Sequence, residues 1–212
     1  MAPRSRRAMA SLGELLSAYL ATGSWRSSPT WTRLAARIVD GKGLLLCPGF
    51  IDMHAHTALQ TFTNPCLNAK VAQGFTTELI NPDGLAPAPV GSDGRERRQA
   101  YMRALEGSGP DQWTRSTFGD YLEQLSATKP ATTLVPSAGH NAIRDLVLGS
   151  GRTQPDQEQL AAMRREVRAC FEQGARALSF GLIYLPGVYA ETNELVELAK
   201  EAARVGAPLA GR

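Results

Sequence analysis

The sequence predicts an α/β fold in which short apolar strands alternate with helices. Three observations support this prediction. An apolar run ending in two histidines, residues 44–56, is followed by a helical segment and then by a second β-rich run, residues 75–80. Residues 157–174 carry apolar side chains at helical spacing, and the β-rich run 177–184 follows them. Of the 212 residues, 43% are hydrophobic and 20% are charged, which is sufficient for a sizeable core.

The first predicted strand carries the most informative residues. It follows a corner at Pro48 and Gly49 and ends in His54-Ala55-His56. Alternate side chains of a strand share a face, so both imidazoles point the same way and can hold one divalent cation. A bare His-x-His pair more often has no such role. Its position at the carboxyl end of an apolar strand favours a metal site, because functional groups of α/β proteins collect there.

The second strand supplies a candidate third ligand. Residues 64–73 predict a helix closed by Gly74, and residues 75–80 predict a strand that ends at Asn81-Pro82-Asp83-Gly84. A right-handed crossover between parallel strands brings Asp83 to the end of the sheet that carries the histidines. An Asp-Gly pair by itself is usually a turn, so the spacing alone leaves the role of Asp83 open.

Two later strands end in further candidate residues. His140 ends the β-rich run 132–140, in which Pro136 makes a strand less favourable. This histidine could face the pocket, cap the next helix or pack in the core, and a structural or indirect role is favoured over direct metal ligation. Tyr184 ends the run 177–184 and is a candidate substrate contact, because it offers a ring face and a hydroxyl.

The remaining segments predict surface helices and a fifth strand. Residues 116–125 and 157–174 have amphipathic patterns, and the aromatic stripe of the first is expected to pack in the core. A helix over 192–205 precedes a strand starting at residue 207. Residues 92–112 are charged and interrupted by glycines, and no element is predicted there.

Composition argues against several classes of partner. The net charge is +3, and the arginines of segment 157–174 are most simply a solvated helix face, so we expect no nucleic-acid binding. No run approaches the ~18 apolar residues of a membrane span, so we expect no membrane partner. Cys47, Cys66 and Cys170 lack any C-x-x-C spacing and are expected to be free, buried thiols.

Residues 48–56, with the sequence PGFIDMHAH, resemble the first-strand signature of the amidohydrolase superfamily. Residues 73–90, 139–144 and 174–187 resemble its D-aminoacylase branch, the N-acyl-D-amino-acid deacylases. The resemblance covers roughly residues 36–209. It implies a (β/α)8 TIM-type barrel, of which residues 48–212 would supply an incomplete part of about four to five βα units.

The resemblance also suggests how the preceding chain is organised. Residues 36–47 resemble the end of the small β-sandwich that precedes the barrel in relatives. Residues 1–35 are basic and rich in serine, and we expect them to be poorly ordered. An organelle transit peptide or a misassigned start would have this composition too, but a cytoplasmic location is the favoured expectation.

A metal site follows from the same resemblance, with His54, His56 and Asp83 as ligands and zinc as the first choice of metal. Well-studied members of the branch carry a zinc-binding cysteine where this sequence has Asp83. Because a carboxylate weakens the preference for zinc, manganese or another divalent ion remains an alternative. The implied substrate is a small N-acyl-D-amino acid, whose amide bond is hydrolysed.

No catalytic base is assigned, because the late aspartate that serves relatives as ligand and general base has no counterpart in this sequence. Three hypotheses follow. In the first, the chain represents the N-terminal half of a deacylase-type hydrolase. In the second, it is an inactive fragment or pseudoenzyme. In the third, it is a half-barrel that acts only after self-association through its open edges or after assembly with a second half.

Overall fold

Residues 19–21, 24–26, 42–107, 109 and 117–211 are described by a computed structural model. The chain divides into two units between Gly49 and Phe50. In the first unit, β1 (Tyr19–Ala21) and β2 (Ser24–Arg26) pair as an antiparallel hairpin. The rest of the basic segment 1–35 and residues 36–41 of the predicted sandwich remnant lie outside the described residues.

The second unit is built on a five-stranded sheet whose strand order follows the chain. All neighbouring strands run parallel, so their carboxyl ends meet at one edge. The strands are β3 (Phe50–Ala55), β4 (Phe75–Ile80), β5 (Thr133–Gly139), β6 (Ala177–Phe180) and β7 (Leu209–Gly211).

Helices connect each strand to the next, as the predicted strand and helix alternation requires. They are α1 (Gln60–Thr63), α2 (Asn68–Ala72), α3 (Arg95–Glu106), α4 (Phe118–Ala127), α5 (His140–Leu148), α6 (Gln157–Glu172) and α7 (Thr192–Arg204). Short 3-10 helices cover Ser92–Gly94 and Gly187–Tyr189. Side-chain caps begin two of the helices: Thr117 accepts from the backbone of Asp120, and Asp156 forms a capping box with Gln159.

The helix predicted over 64–73 is shorter in the structure. Leu67 has a left-handed backbone, with φ of 42°, and α2 begins after it. The carbonyl of Pro65 accepts a hydrogen bond from the backbone N–H of Ala131 instead of taking part in a helix. The tertiary contact therefore overrides the local helical pattern.

Two other differences affect the functional edge of the sheet. The fourth strand of the parallel sheet, β6, ends at Phe180, so Tyr184, the last residue of the predicted run 177–184, lies in the loop beyond the observed strand end. Within the charged segment 92–112, where no element is predicted, residues 95–106 form the three-turn helix α3.

The main core lies between the sheet and helices α4 to α7. It includes Ala55, Ile80, Phe118, Tyr121, Leu125, Ala138, Ile143, Met163, Val167, Cys170, Leu178, Leu198 and Ala202.

Two of the three cysteines are exposed. Cys47 and Cys66 contradict the expectation of buried thiols, which holds only for Cys170. Among the described residues, no helix has the length and apolar character needed to cross a membrane.

Candidate metal centre

The end of β3 places two imidazoles on one side of the sheet. His54 and His56 are about one-third exposed, at 34% and 31% of their side-chain area. Between them Ala55 faces the other side and is buried in the core. The backbone N–H of His54 donates to Oδ1 of Asp52 at 3.0 Å, which fixes the strand just before its tip. The alternation expected from the sequence is therefore present.

Asp83 lies in a tight loop after β4, and its side chain is only 4% exposed. Both Asn81 and Asp83 have left-handed backbones, with φ of 59° and 57°, which are uncommon for residues other than glycine. The side-chain amide of Asn81 donates to the carbonyl of Ser137, and Tyr121 donates its hydroxyl to Asn81 Oδ1. These contacts hold the loop in a conformation that local preference disfavours.

Neighbouring strand ends close around the same loop. The hydroxyl of Ser179 donates to the carbonyl of Asn81 at 2.7 Å and accepts from the N–H of Gly84 at 3.1 Å. A Cβ at Gly181 would lie 2.1 Å from the carbonyl oxygen of Asp83, so only glycine fits there. The position of Asp83 thus depends on three adjacent strands.

The three predicted ligands converge. Oδ2 of Asp83 lies 3.3 Å from Nε2 of His54 and 3.5 Å from Nε2 of His56, and one ligand atom of each residue falls within 4.8 Å of the others. These separations exceed a good hydrogen bond. They approximate the edge of about 3.3 Å between neighbouring ligands of a tetrahedral zinc with bonds of 2.0–2.1 Å. The buried Oδ1 of Asp83 has no hydrogen-bond partner among the described residues. The donor set therefore fits a divalent cation.

Glu106 is a site residue that the sequence reasoning missed. It ends α3 and is fully buried, with Oε1 3.6 Å from Nδ1 of His56. The Glu106 carboxylate raises the pKa of His56 against burial, which lowers it, and Asp83 adds to the increase. The only sequence signal is that Arg98, Met102 and Glu106 recur every four residues on the buried face of one helix.

His140 lies apart from the three-residue ligand group. Its Nε2 is 2.6 Å from Oε1 of Glu194, its ring packs against Phe180, and the side chain is completely buried. Arg144 donates through Nε to the same carboxylate. These contacts join His140 to α7 rather than to the three candidate ligands.

Tyr184 is half-buried in the loop after β6. It packs with Tyr101 against a small apolar cluster formed by Leu59, Leu85 and Met102. This cluster adjoins the histidine site, because the backbone N–H of Leu59 donates to Glu106. The structure therefore places Tyr184 at the same edge of the sheet as the candidate ligands.

Residues 37–211 match the profile of the Amidohydrolase family. The chain belongs to that family. It is 34% identical over 177 residues to N-acyl-D-aspartate deacylase of Alcaligenes xylosoxydans xylosoxydans, a match covering 82% of this chain and 33% of that protein. N-acyl-D-glutamate deacylase of the same organism is 33% identical over 208 residues, covering 97% of this chain and 39% of that protein.

Solved structures support the same branch. The crystal structure of D-aminoacylase superposes with a TM-score of 0.66 at 28% identity, covering 78% of this chain and 34% of that one. N-acyl-D-glutamate deacylase from Bordetella bronchiseptica, complexed with zinc and a phosphonate inhibitor, gives 0.67 at 29% identity, with the same coverage. The resemblance to D-aminoacylases and the partial TIM-type barrel are thereby confirmed. The chain spans between a third and two fifths of the length of these relatives.

Proposed function

We propose that this chain carries metal-binding residues of an N-acyl-D-amino-acid deacylase, a hydrolase of carbon–nitrogen bonds other than peptide bonds. The observation that carries the proposal is the convergence of His54, His56 and Asp83 at the ends of two adjacent strands. A bound divalent metal would polarise the substrate carbonyl and lower the pKa of a bound water. Zinc is the first candidate, and the carboxylate of Asp83 keeps manganese or another divalent ion as an alternative.

We assign separate roles to the residues around that metal. Both imidazoles offer Nε2 toward Asp83, and the buried Asp83 carboxylate supplies the negative charge. His140 serves as a structural residue through its contact with Glu194. The ring of Tyr184 is the proposed substrate contact, supported by its place beside Leu59 and Tyr101.

The substrate is proposed to be a small N-acyl-D-amino acid. The names of similar proteins, among them deacylases of N-acyl-D-aspartate and N-acyl-D-glutamate, support this class. Hydrolysis of the amide would yield a carboxylate and a free D-amino acid.

The ligand assignment is tested by the double variant His54→Ala/His56→Ala. We expect stoichiometric zinc or manganese in the purified parent chain and none in the variant, because two of three ligands are lost. Met53→Ala is the matched control, since Met53 lies on the same strand with 66% exposure. Equal metal content in the double variant and its control would remove the central claim.

The choice of metal is tested by Asp83→Cys. Since a thiolate is a softer ligand than a carboxylate, the variant should bind zinc more tightly relative to manganese. Competition titrations with a chelating dye measure both affinities. An unchanged ratio would count against Asp83 as a ligand.

The reaction is tested by incubating the metal-loaded chain with N-acetyl-D-glutamate and N-acetyl-D-methionine, with their L enantiomers as controls. Release of the free D-amino acid, absent in the double histidine variant, is the expected result. Metal binding without hydrolysis at any protein concentration would favour an inactive fragment or pseudoenzyme.

Activity that depends on assembly is a second candidate, favoured by exposed apolar residues on the outermost strand. Phe50, Ile51 and Met53 of β3 expose 54%, 60% and 66% of their surface. Such an edge can pair with a second copy of the chain. Specific activity that rises with protein concentration, together with a dimer in sedimentation equilibrium, would support this candidate. Constant specific activity from a monomer would exclude it.

A further inference from the structure

Glu106 has one satisfied and one unsatisfied carboxylate oxygen. Oε2 accepts a hydrogen bond from the backbone N–H of Leu59 at 3.1 Å. Oε1 is buried and lacks a hydrogen-bond partner within the described part of the chain. It faces Nδ1 of His56 at 3.6 Å, and this nitrogen is equally buried and unpartnered there.

Oε1 of Glu106 and Nδ1 of His56 can satisfy each other as acceptor and donor of one hydrogen bond. An imidazole nitrogen that carries its proton is a donor, and a carboxylate oxygen can only accept. Burial leaves neither atom a route to bulk water, so leaving both unpaired is costly. A shift of about 0.6 Å would bring them to ordinary hydrogen-bond distance.

The arrangement distinguishes the two nitrogens of His56. Nδ1 faces Glu106, whereas Nε2 faces Oδ2 of Asp83 at 3.5 Å. A neutral imidazole has one proton, so a proton held at Nδ1 leaves the lone pair of Nε2 directed at the candidate metal position.

A carboxylate at this position has features that a purely structural role does not explain. It is the last residue of α3, where the helix dipole disfavours negative charge, and it is buried. Contact with Leu59 alone requires one acceptor, which an uncharged glutamine would supply. With a proton on Nδ1 of His56 both neighbours would be donors, and a carboxylate would accept one hydrogen bond on each of its oxygens.

We infer that Glu106 is a positioning residue that holds the proton of His56 on Nδ1 and thereby presents Nε2 as the metal-binding atom. The inference rests on the proposed metal site and adds to it a contact from α3, outside the ligand-bearing strands. Residues that hydrogen-bond to histidine ligands in this way typically change metal affinity by about 10- to 100-fold.

The first test needs no variant. Two-bond ¹H–¹⁵N correlation spectra of the metal-free chain, recorded at a pH where the rings are neutral, report which nitrogen carries the proton. The sequence has only three histidines, which keeps assignment simple. We expect the Nδ1–H form for His56, and a predominant Nε2–H form would overturn the inference.

The second test compares Glu106→Gln with Glu201→Gln. The first variant keeps the side-chain size but places an amide NH₂ against one of two donors, which should shift His56 toward the Nε2–H form and weaken zinc binding by 10- to 100-fold. The control removes another buried carboxylate, whose oxygens pair with Arg164, Arg168 and Arg204 on the outer helices. Equal zinc affinity and an unchanged tautomer in Glu106→Gln would refute the role.

The two proposals fail differently. If the parent chain shows the Nδ1–H form, and Glu106→Gln changes it, yet neither chain binds metal, the control of the His56 proton by Glu106 stands and the metal site fails. If metal binds normally and the tautomer of His56 is the same in the parent chain and in Glu106→Gln, the metal site stands and the positioning role fails. Should Glu106→Gln not fold, the tautomer of the parent chain still decides.

Discussion

Two clusters of histidine and carboxylate occur in the same unit, and they differ in how completely the oxygens of their carboxylates are paired. In the first, between α5 and α7, His140 and Arg144 contact both oxygens of Glu194 at 2.6–3.3 Å. In the second, at the ends of β3 and β4, histidine nitrogens lie 3.3 and 3.5 Å from Asp83. The α5–α7 cluster is fully buried, whereas the histidines of the second are partly open to solvent.

The difference indicates two kinds of role for similar residues. A carboxylate whose oxygens are both bonded within the protein has nothing left to offer a ligand, so the Glu194 cluster holds α5 against α7. Asp83 retains a buried oxygen that accepts no bond from the described residues. Two histidine nitrogens beyond good hydrogen-bond distance from a buried carboxylate with an unpaired oxygen are the arrangement expected of the proposed cation site.

The largest effect that would test this contrast comes from Arg144→Met. Removing the guanidinium leaves the buried Glu194 without its cationic partner, which should lower the free energy of unfolding by about 3–5 kcal/mol. Metal affinity of the folded protein should stay within error. Urea denaturation and dye competition measure the two quantities.

The exposed arginine variant Arg152→Met is the control and should be within about 0.5 kcal/mol of the parent chain. A loss of metal affinity in Arg144→Met without a loss of stability would reverse the roles assigned to the two clusters.

The contrast also shows what the sequence could reveal. The sequence predicts that His54 and His56 share a face because the alternation of a strand is local, and it predicts the end of the sheet that carries Asp83 because a parallel crossover fixes it. The proposed ligand role of Asp83 comes from the family resemblance. The partner of His140 was not recognisable in this way. Glu194 lies 54 residues further along, and only the packing of α7 against α5 and α6 brings it there.

Glu106 escaped detection for a related reason. Helix α3 has just one apolar residue, Met102, on its buried face, while Arg98 and Glu106 occupy the other two positions. Hydrophobic periodicity identifies a helix by apolar residues, so a helix that buries charged side chains against a functional site lacks the signal. One terminal nitrogen of Arg98 donates to Asp145 and to the carbonyl of Asn141. These partners come from another element and cannot be read locally.

A smaller effect is expected from Gly181→Ala, which tests how the open site is positioned. The added Cβ would meet the carbonyl oxygen of Asp83 at 2.1 Å, so the loop after β4 must move. We expect a loss of about 1–3 kcal/mol in stability and weaker metal binding. Gly151→Ala is the control, since its nearest neighbour is the Thr153 hydroxyl oxygen at 3.6 Å. Unchanged metal affinity in Gly181→Ala would show that the loop is not held by this contact.

The smallest effect concerns Glu201, a second carboxylate of α7 whose two oxygens are both paired with arginines. Burial alone would raise the pKa of this carboxyl, but hydrogen bonds from Arg164 and Arg168 outweigh it and hold the pKa below its ordinary value of 4.5. A carboxyl with a lowered folded pKa stabilises the protein above the unfolded pKa, and this contribution is lost as pH falls through the folded value. Acid should therefore weaken the α6–α7 contact.

We expect Glu201→Gln to cost about 1 kcal/mol at neutral pH, because its arginine partners are partly solvated, and to cost less as the pH drops below 4.5. Denaturation curves across that range, beside the exposed variant Glu172→Gln, measure the difference. A cost that stays constant with pH would mean that the Glu201 charge contributes nothing. The pairing of carboxylate oxygens alone would then no longer distinguish the structural cluster from the proposed metal site.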